Sequence, residues 1–304
     1  MGNSADKKEI RPADFMQRSN FTAFGLILMN WGTVIGLAWI SESIQHWAVY
    51  IATVWIIGGR MVALAEVMGH DSVHYNLFRK KSWNYTLDFL YFVPIFESWS
   101  SYREAHNRHH SDLLTMKDPA MQDYERWGLL SAKPKPWFWM WFIRPLLCWD
   151  TPYTIGEILK GLLSDRSYAA KLLLFWIPAV SLFYYLNALD LLLYYWMIPY
   201  LWAYPALIFW SEVGEHYKVP ADRSRTRNTF GLLEYLFISP HDDRYHAVHH
   251  IWARIPSYHQ KAATLALLQD DNCGESHGFL DLYRQFKAPL DPVTGQELAT
   301  QVND

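Results

Sequence analysis

Cysteine is nearly missing from this chain. Cys148 and Cys273 are the only two in 304 residues, and they lie far apart. That spacing excludes a disulfide framework and gives no thiolate pair for a metal. Charge of one sign is missing too: 27 Lys and Arg stand against 30 Asp and Glu, with no basic stripe. No nucleic-acid partner is expected. Residues 1–18 are polar, with no apolar run and no small-residue cleavage site, so they do not read as a signal peptide. Met1-Gly2 opens like a myristoylation signal, but Asp6 stands where Ser or Thr is needed. Neither a haem-attachment motif nor a flavin-type Gly-rich motif is present, so any electrons are expected from a separate protein.

What is abundant is aromatic and apolar. The chain carries 16 Trp and 19 Tyr, a load that suits a membrane protein, where these rings sit at the interfaces. Four runs are long and apolar enough for a bilayer, which takes about 20 residues. They cover residues 21–40, 47–68, 172–189 and 191–210. The short connectors 41–46 and 187–190 hold no Lys or Arg, whereas the other segments hold nearly all of them. A positive-inside arrangement then places both termini and the middle loop in the cytoplasm. The fold expected is an all-α integral membrane protein with four spans in two hairpins and a cytosolic helical cap. Its parts are a cytosolic N-terminal segment (1–20), a membrane domain (21–286) and a polar tail (287–304). Within the cap, 83–99 reads as an interfacial or re-entrant element. The Trp-dense stretch 136–149 reads as a helix in the headgroup region, or else as a buried helix packed on the spans. Residues 258–269 and 278–286 read as short amphipathic helices.

Eight of the 13 histidines fall into three groups: His70 and His74; His106, His109 and His110; His246, His249 and His250. The second and third share the pattern HxxHH. Residues three and four apart are neighbours on a helix, so each group can aim its rings at one point. Neutral imidazole is a common metal ligand and suits zinc, copper, iron or nickel. All three groups fall on one side of the expected membrane, so one site can collect them. Eight ligands exceed what one ion takes, and two ions sharing them is the natural count. His216, after the fourth span, is a ninth candidate. Metal-bound histidines usually donate their other N–H to a carboxylate or carbonyl. Glu66, Asp71, Asp118, Glu212, Glu215, Asp242 and Asp243 are candidates for that part. Glu66 leads, because a charge near the end of an apolar span is costly unless paired. Arg60, inside the second span, is expected to snorkel or pair with an acid.

The boxes HxxxH, HxxHH and HxxHH, in this order around two pairs of spans, resemble those of the membrane fatty acid desaturase/hydroxylase superfamily. His216 within Glu215-His216, the stretch Thr226-Arg227-Asn228-Thr229 and the pair Asp118-Pro119 match further features of it. The similarity covers roughly residues 21 to 260. One departure is Glu212, four residues before His216, where some members have Asn. The resemblance implies a non-haem di-iron centre on the cytosolic face, held by the nine histidines. It implies dioxygen as oxidant, a ferredoxin- or cytochrome b5-like electron donor and a lipid or other alkyl substrate. The reaction expected is desaturation of a fatty acyl chain; the alternative is hydroxylation or another oxygenation of a lipid or terpenoid. A different class, a zinc-dependent or metal-handling membrane protein, leaves the number of ligands unexplained, since a zinc hydrolase needs about three.

Overall fold

The computed structural model describes residues 10–131, 135–219, 224–269 and 273–286. Residues 1–9 of the expected N-terminal segment, and all of the polar tail, lie outside the described residues. Among those described, the chain is mostly helical, and four helices are long and apolar enough to cross a membrane. They are α1 (Asn20–Ile44), α2 (Trp47–Val73), then Arg166–Tyr185 and Leu189–His216. Three run on past their expected ends, α1 reaching Ile44. α2 continues through a π-helical stretch, Ala63–Gly69, into His70–Val73. The helix ending at His216 carries six residues beyond 210, which places Glu212 and Glu215 on it.

Local chemistry sets the ends. Ser19 Oγ caps α1 by accepting from Thr22 N at 3.2 Å, removing one of the unpaired N–H groups of a helix start. Gln45, in the left-handed region at φ 50°, stops it. Asp165 caps the helix Arg166–Tyr185, accepting from Ser167 N and Tyr168 N. α2 and the helix Leu189–His216 form the core, with Ile57, Met61 and the run Val62–Ala65 fully buried on α2. Gly58 lets them meet: a Cβ there would lie 2.6 Å from Ala203 Cβ. α1 and Arg166–Tyr185 are peripheral and expose Leu28, Ile35, Trp39, Leu173, Leu174 and Ile177. Exposed apolar area of this kind fits a lipid neighbour.

The segments between and after these helices carry α3 (Trp99–Asp112), α4 (Pro119–Trp127), α5 (Thr151–Ser164), α6 (Arg166–Tyr185), α7 (Leu189–His216), α8 (His246–Ile251), α9 (Ser257–Leu267) and α10 (Phe279–Gln285). Strand β1 (Arg227–Thr229) pairs parallel with β2 (Gly274–Ser276), Arg227 opposite Gly274. The stretch before α3 is a set of short turns pinned to the long helices: Trp196 Nε1 donates to Pro94 O at 2.9 Å, and Tyr168 Oη to Phe96 O at 2.5 Å. The Trp-dense stretch turns its middle inward. Trp141 and Arg144 are buried, Trp210 Nε1 donates to Trp141 O at 2.9 Å, and Phe138, Leu147 and Trp149 stay exposed. The buried alternative therefore describes its inner face. Arg60 does pair, but with neutral groups: it donates to Leu236 O at 2.5 Å and to Asn30 Oδ1 at 3.4 Å.

Candidate metal centre

The nine histidines come from four elements. His70 sits on the last turn of α2 and His74 just past it; His106, His109 and His110 are on α3. His216 ends α7, and His246, His249 and His250 are on α8. The fold is tied so that these meet. The Trp99 ring N–H donates to Ser72 Oγ at 3.0 Å, and Arg103 Nη1 donates to Val73 O, fixing α3 against α2. Arg227 Nη1 donates to Gly214 O at 2.5 Å, and Thr226 Oγ1 to Glu215 O at 3.0 Å, fixing β1 against α7. Asn228 Oδ1 accepts from Ala247 N at 3.0 Å and orients α8. The stretch 226–229 thus acts as a clamp between the third box and His216.

Two sets of imidazoles result. His70, His74, His106, His110 and His249 have ligand atoms within 4.8 Å of one another, as do His109, His216 and His250. Glu215, His216 and His246 form an overlapping group. The sets abut, with the His110 and His250 rings stacked at 4.5 Å. His110 Nε2 lies 3.0 Å from His106 Nε2 and 2.9 Å from His249 Nε2. His246 and His250 meet Nε2 to Nε2 at 3.1 Å, and His109 and His216 at 3.2 Å. Burial first, then neighbouring histidines, hold two of the rings neutral: His246 is lowered to about 3 and His110 to about 2. His74 falls to about 4, by burial and then Arg103. A neutral ring keeps a lone pair for a cation.

The carboxylates divide. Asp118 Oδ1 accepts from His109 Nδ1 at 2.9 Å, while the same side chain caps α4 through Ala120 N and takes Leu114 N. Glu215 Oε2 lies 3.6 Å from His246 Nε2, and its Oε1 accepts from Ser239 and Ser211. Asp243 reaches to 3.8 Å from His70 Nδ1. Glu66 accepts from Tyr102 Oη at 2.5 Å, and Glu212 from Tyr124 Oη at 3.2 Å; both line the chamber beside the histidines. Asp71 is turned elsewhere: it accepts from Ser257 N and Ser257 Oγ, anchoring the start of α9. Asp242 lies by Arg244 at 4.0 Å. Tyr102 carries no local sequence signal, because its partner is 36 residues away. The remaining histidines stay out of the cluster. His46 caps α2 through Ala48 N, His241 meets Asn30 at 3.2 Å, and His259 and His277 rest against Tyr258 and Phe230.

A chamber of about 220 Å³ opens beside His70, His106, His109 and His246. It borders an outer cavity of about 530 Å³, and Glu66, Tyr102, Ala105 and Ile208 line both.

Residues 45–280 match the family model for fatty acid desaturase. The chain belongs to that family. It is 25% identical over 264 residues to a dihydrorhizobitoxine desaturase of Bradyrhizobium elkanii, covering 78% of this chain and 73% of the relative. It is 23% identical over 206 residues to an sn-1 oleoyl-lipid 12-desaturase of Arthrospira platensis, covering 65% of this chain and 57% of that one. A shorter match, 26% over 101 residues, is to an sn-1 acyl-lipid omega-3 desaturase (ferredoxin) of a Synechocystis strain; it covers 33% of this chain and 28% of the relative. The fatty acid desaturase chain is accordingly an oxidoreductase of lipid-desaturase type, and its four apolar helices make it a membrane protein.

Proposed function

We propose that this chain is an oxygen-dependent di-iron enzyme that removes hydrogen from C–H bonds of an alkyl chain, with desaturation as its reaction. One observation carries the metal reading. The Nδ1–H of His109 goes to Asp118, so in the neutral ring Nε2 bears a lone pair, and that lone pair faces His216 Nε2 at 3.2 Å. Nε2 of His70 and Nε2 of His74 are likewise buried without a hydrogen bond. Buried polar groups left unpaired cost free energy, and a shared cation relieves them.

The donor set fits two ions. His70, His74, His106, His110 and His249 would hold one; His109, His216, His246 and His250 would hold the other, with Glu215 near it. Two iron ions bound here supply the redox chemistry with dioxygen that takes hydrogen from an unactivated C–H bond. The protein's own part is placement. Asp118 fixes the tautomer of His109, and Asp243 approaches His70. Tyr102 holds Glu66 at the chamber wall. Tyr102 and Trp127 line the chamber, and the buried Phe92 ring packs on Tyr102 at 5.0 Å.

The spans are proposed to form two hairpins, 21–40 with 47–68 and 172–189 with 191–210, with the remaining segments as a cytoplasmic cap carrying the site. Both termini would be cytoplasmic, and a separate ferredoxin- or cytochrome b5-like protein would deliver electrons. The test is accurate-mass lipid and metabolite profiling of cells expressing the chain against His106→Ala. A new species lighter by two hydrogens is expected. A species heavier by one oxygen would make the enzyme a hydroxylase, and no new species would contradict the proposal.

A further inference from the structure

The outer cavity adjoins the histidine chamber, and acids and phenols interrupt its apolar walls. Burying each CH₂ of a chain contributes roughly 0.8 kcal/mol only against apolar surface. Here the chain would pass carboxylates, hydroxyls and phenols: Glu66, Glu97, Ser101, Tyr102, Asp123 and Tyr153 all line the passage. A cleft of about 300 Å³ with apolar walls does exist, between Trp55, Leu207, Trp210 and Phe237. It shares no wall with the histidine chamber.

The charges of the passage do not cancel. Arg126 is already paired, with Asp150 at 2.5 Å and Asp123 at 2.7 Å, and its guanidinium lies 3.8 Å over the Tyr153 ring. Lys160 pairs with Glu157 at 3.3 Å. Lys171, across a smaller cavity that also touches Glu97, is held by Asp88 at 2.5 Å. Glu66 has a phenol and no cation. Among the described residues, the Glu97 carboxylate has neither a hydrogen bond nor an ion pair. Burial, then Glu66 and Glu157, push it up to about 8, as expected where negative charges face one another across a cavity. Deeper in, Asp243, 2% exposed, lines the histidine chamber with Oδ1 lacking a hydrogen bond. The passage therefore offers acceptors from mouth to end, with the nearby cations already engaged.

We infer that the substrate is an alkyl amine, its protonated nitrogen seated on Glu97 and its alkyl portion running past Glu66 and Ala105 into the histidine chamber. This deepens the reading of that chamber as the oxidising site and rests on it. The amine takes the proton of the Glu97 carboxyl group and pairs with the carboxylate that results, and the reacting carbons then lie a fixed reach from the charged end. An acyl carboxylate brings a further acid and no cation to the same point, and a plain hydrocarbon would leave Glu97 unanswered. The amine can belong to a small water-soluble molecule or to the head of a long-chain lipid base.

The experiment is binding to the purified, detergent-solubilised full chain, followed by tryptophan fluorescence, with octylamine, octanol and octanoate as probes. Octylamine is expected to bind at least about tenfold more tightly than octanol, with octanoate weakest, because the preference is electrostatic. Glu97→Gln should abolish the difference between amine and alcohol while leaving octanol binding as it was. Octanol or octanoate binding as tightly as the amine to the wild-type chain would overturn the inference, whether or not the variant folds. Competition by octadecylamine would assign the site to a lipid base; competition by octylamine alone would assign it to a small amine. Iron measured on the same sample separates the two readings. Amine preference without iron overturns the di-iron proposal alone. Iron and product formation without amine preference overturn this inference alone.

Discussion

His109 and His216, 107 residues apart, face each other Nε2 to Nε2 at 3.2 Å, with the far side of His109 fixed on Asp118. That contact joins the end of the last long helix to the second histidine box. In the proposed metal site His216 would stand on the same footing as the box histidines.

His216→Ala should therefore lower bound iron by about half and abolish turnover, since the set on its side keeps three imidazoles where an ion takes four to six donors. Metal analysis of the purified variant checks this. Full iron content with normal turnover would remove His216 from the site.

Asp118→Asn keeps the size of the side chain but not its charge. Loss of such an outer partner typically costs about 10–100-fold in metal affinity or activity. A chelator titration should show that loss with His109 still in place. Because Asp118 also caps α4 through Ala120 N, a small drop in melting temperature should accompany it.

Asp71 was expected beside the metal, yet it holds Ser257 at 3.0 Å and 2.7 Å. Asp71→Ala leaves the Ser257 N–H buried and unpaired, which costs about 1–3 kcal/mol. Thermal melting of the metal-free chain should fall accordingly. A variant with wild-type stability would show that this anchor contributes nothing.

Gly69 precedes the first box, and a Cβ there would lie 2.1 Å from Phe92 Cε1. Gly69→Ala must displace the Phe92 ring or the turn bearing His70, and overpacking of this kind costs about 1–3 kcal/mol. Reduced iron and reduced stability are expected together. Phe92→Leu in the same chain should restore part of both.

His241 is buried against Asn30, and burial, then Arg60, lower it to about 4. Its folded value lies below the unfolded one, so the unfolded chain binds more protons in the window between them. The stability it contributes is present above about pH 6.5 and is lost as pH falls toward 4. His241→Gln should lose less melting temperature than wild type between about pH 7 and pH 5 and should keep its activity.

The helix-period spacing of the histidines made the boxes legible, because side chains three and four apart share a face whatever surrounds them. The apolar runs were legible for a similar reason: length and composition suffice. What stayed hidden depends on partners far away in the chain. Nothing near Tyr102 announces Glu66, and nothing near Asp71 announces Ser257. The extension of the last long helix to His216 was hidden by Glu212 and Glu215, whose charges end an apolar run but not a helix that buries them against Tyr124, Ser239 and His246. The polar walls of the passage come from α2, the turn before α3, and α3, α4 and α5 together, so no single stretch carries that signal.

Iron quantitation on the purified chain decides the di-iron proposal. About two iron ions per chain are expected, as in sites that share two metals, with a marked loss on His106→Ala or His249→Ala. One zinc ion per chain, or iron unaffected by those substitutions, would contradict it.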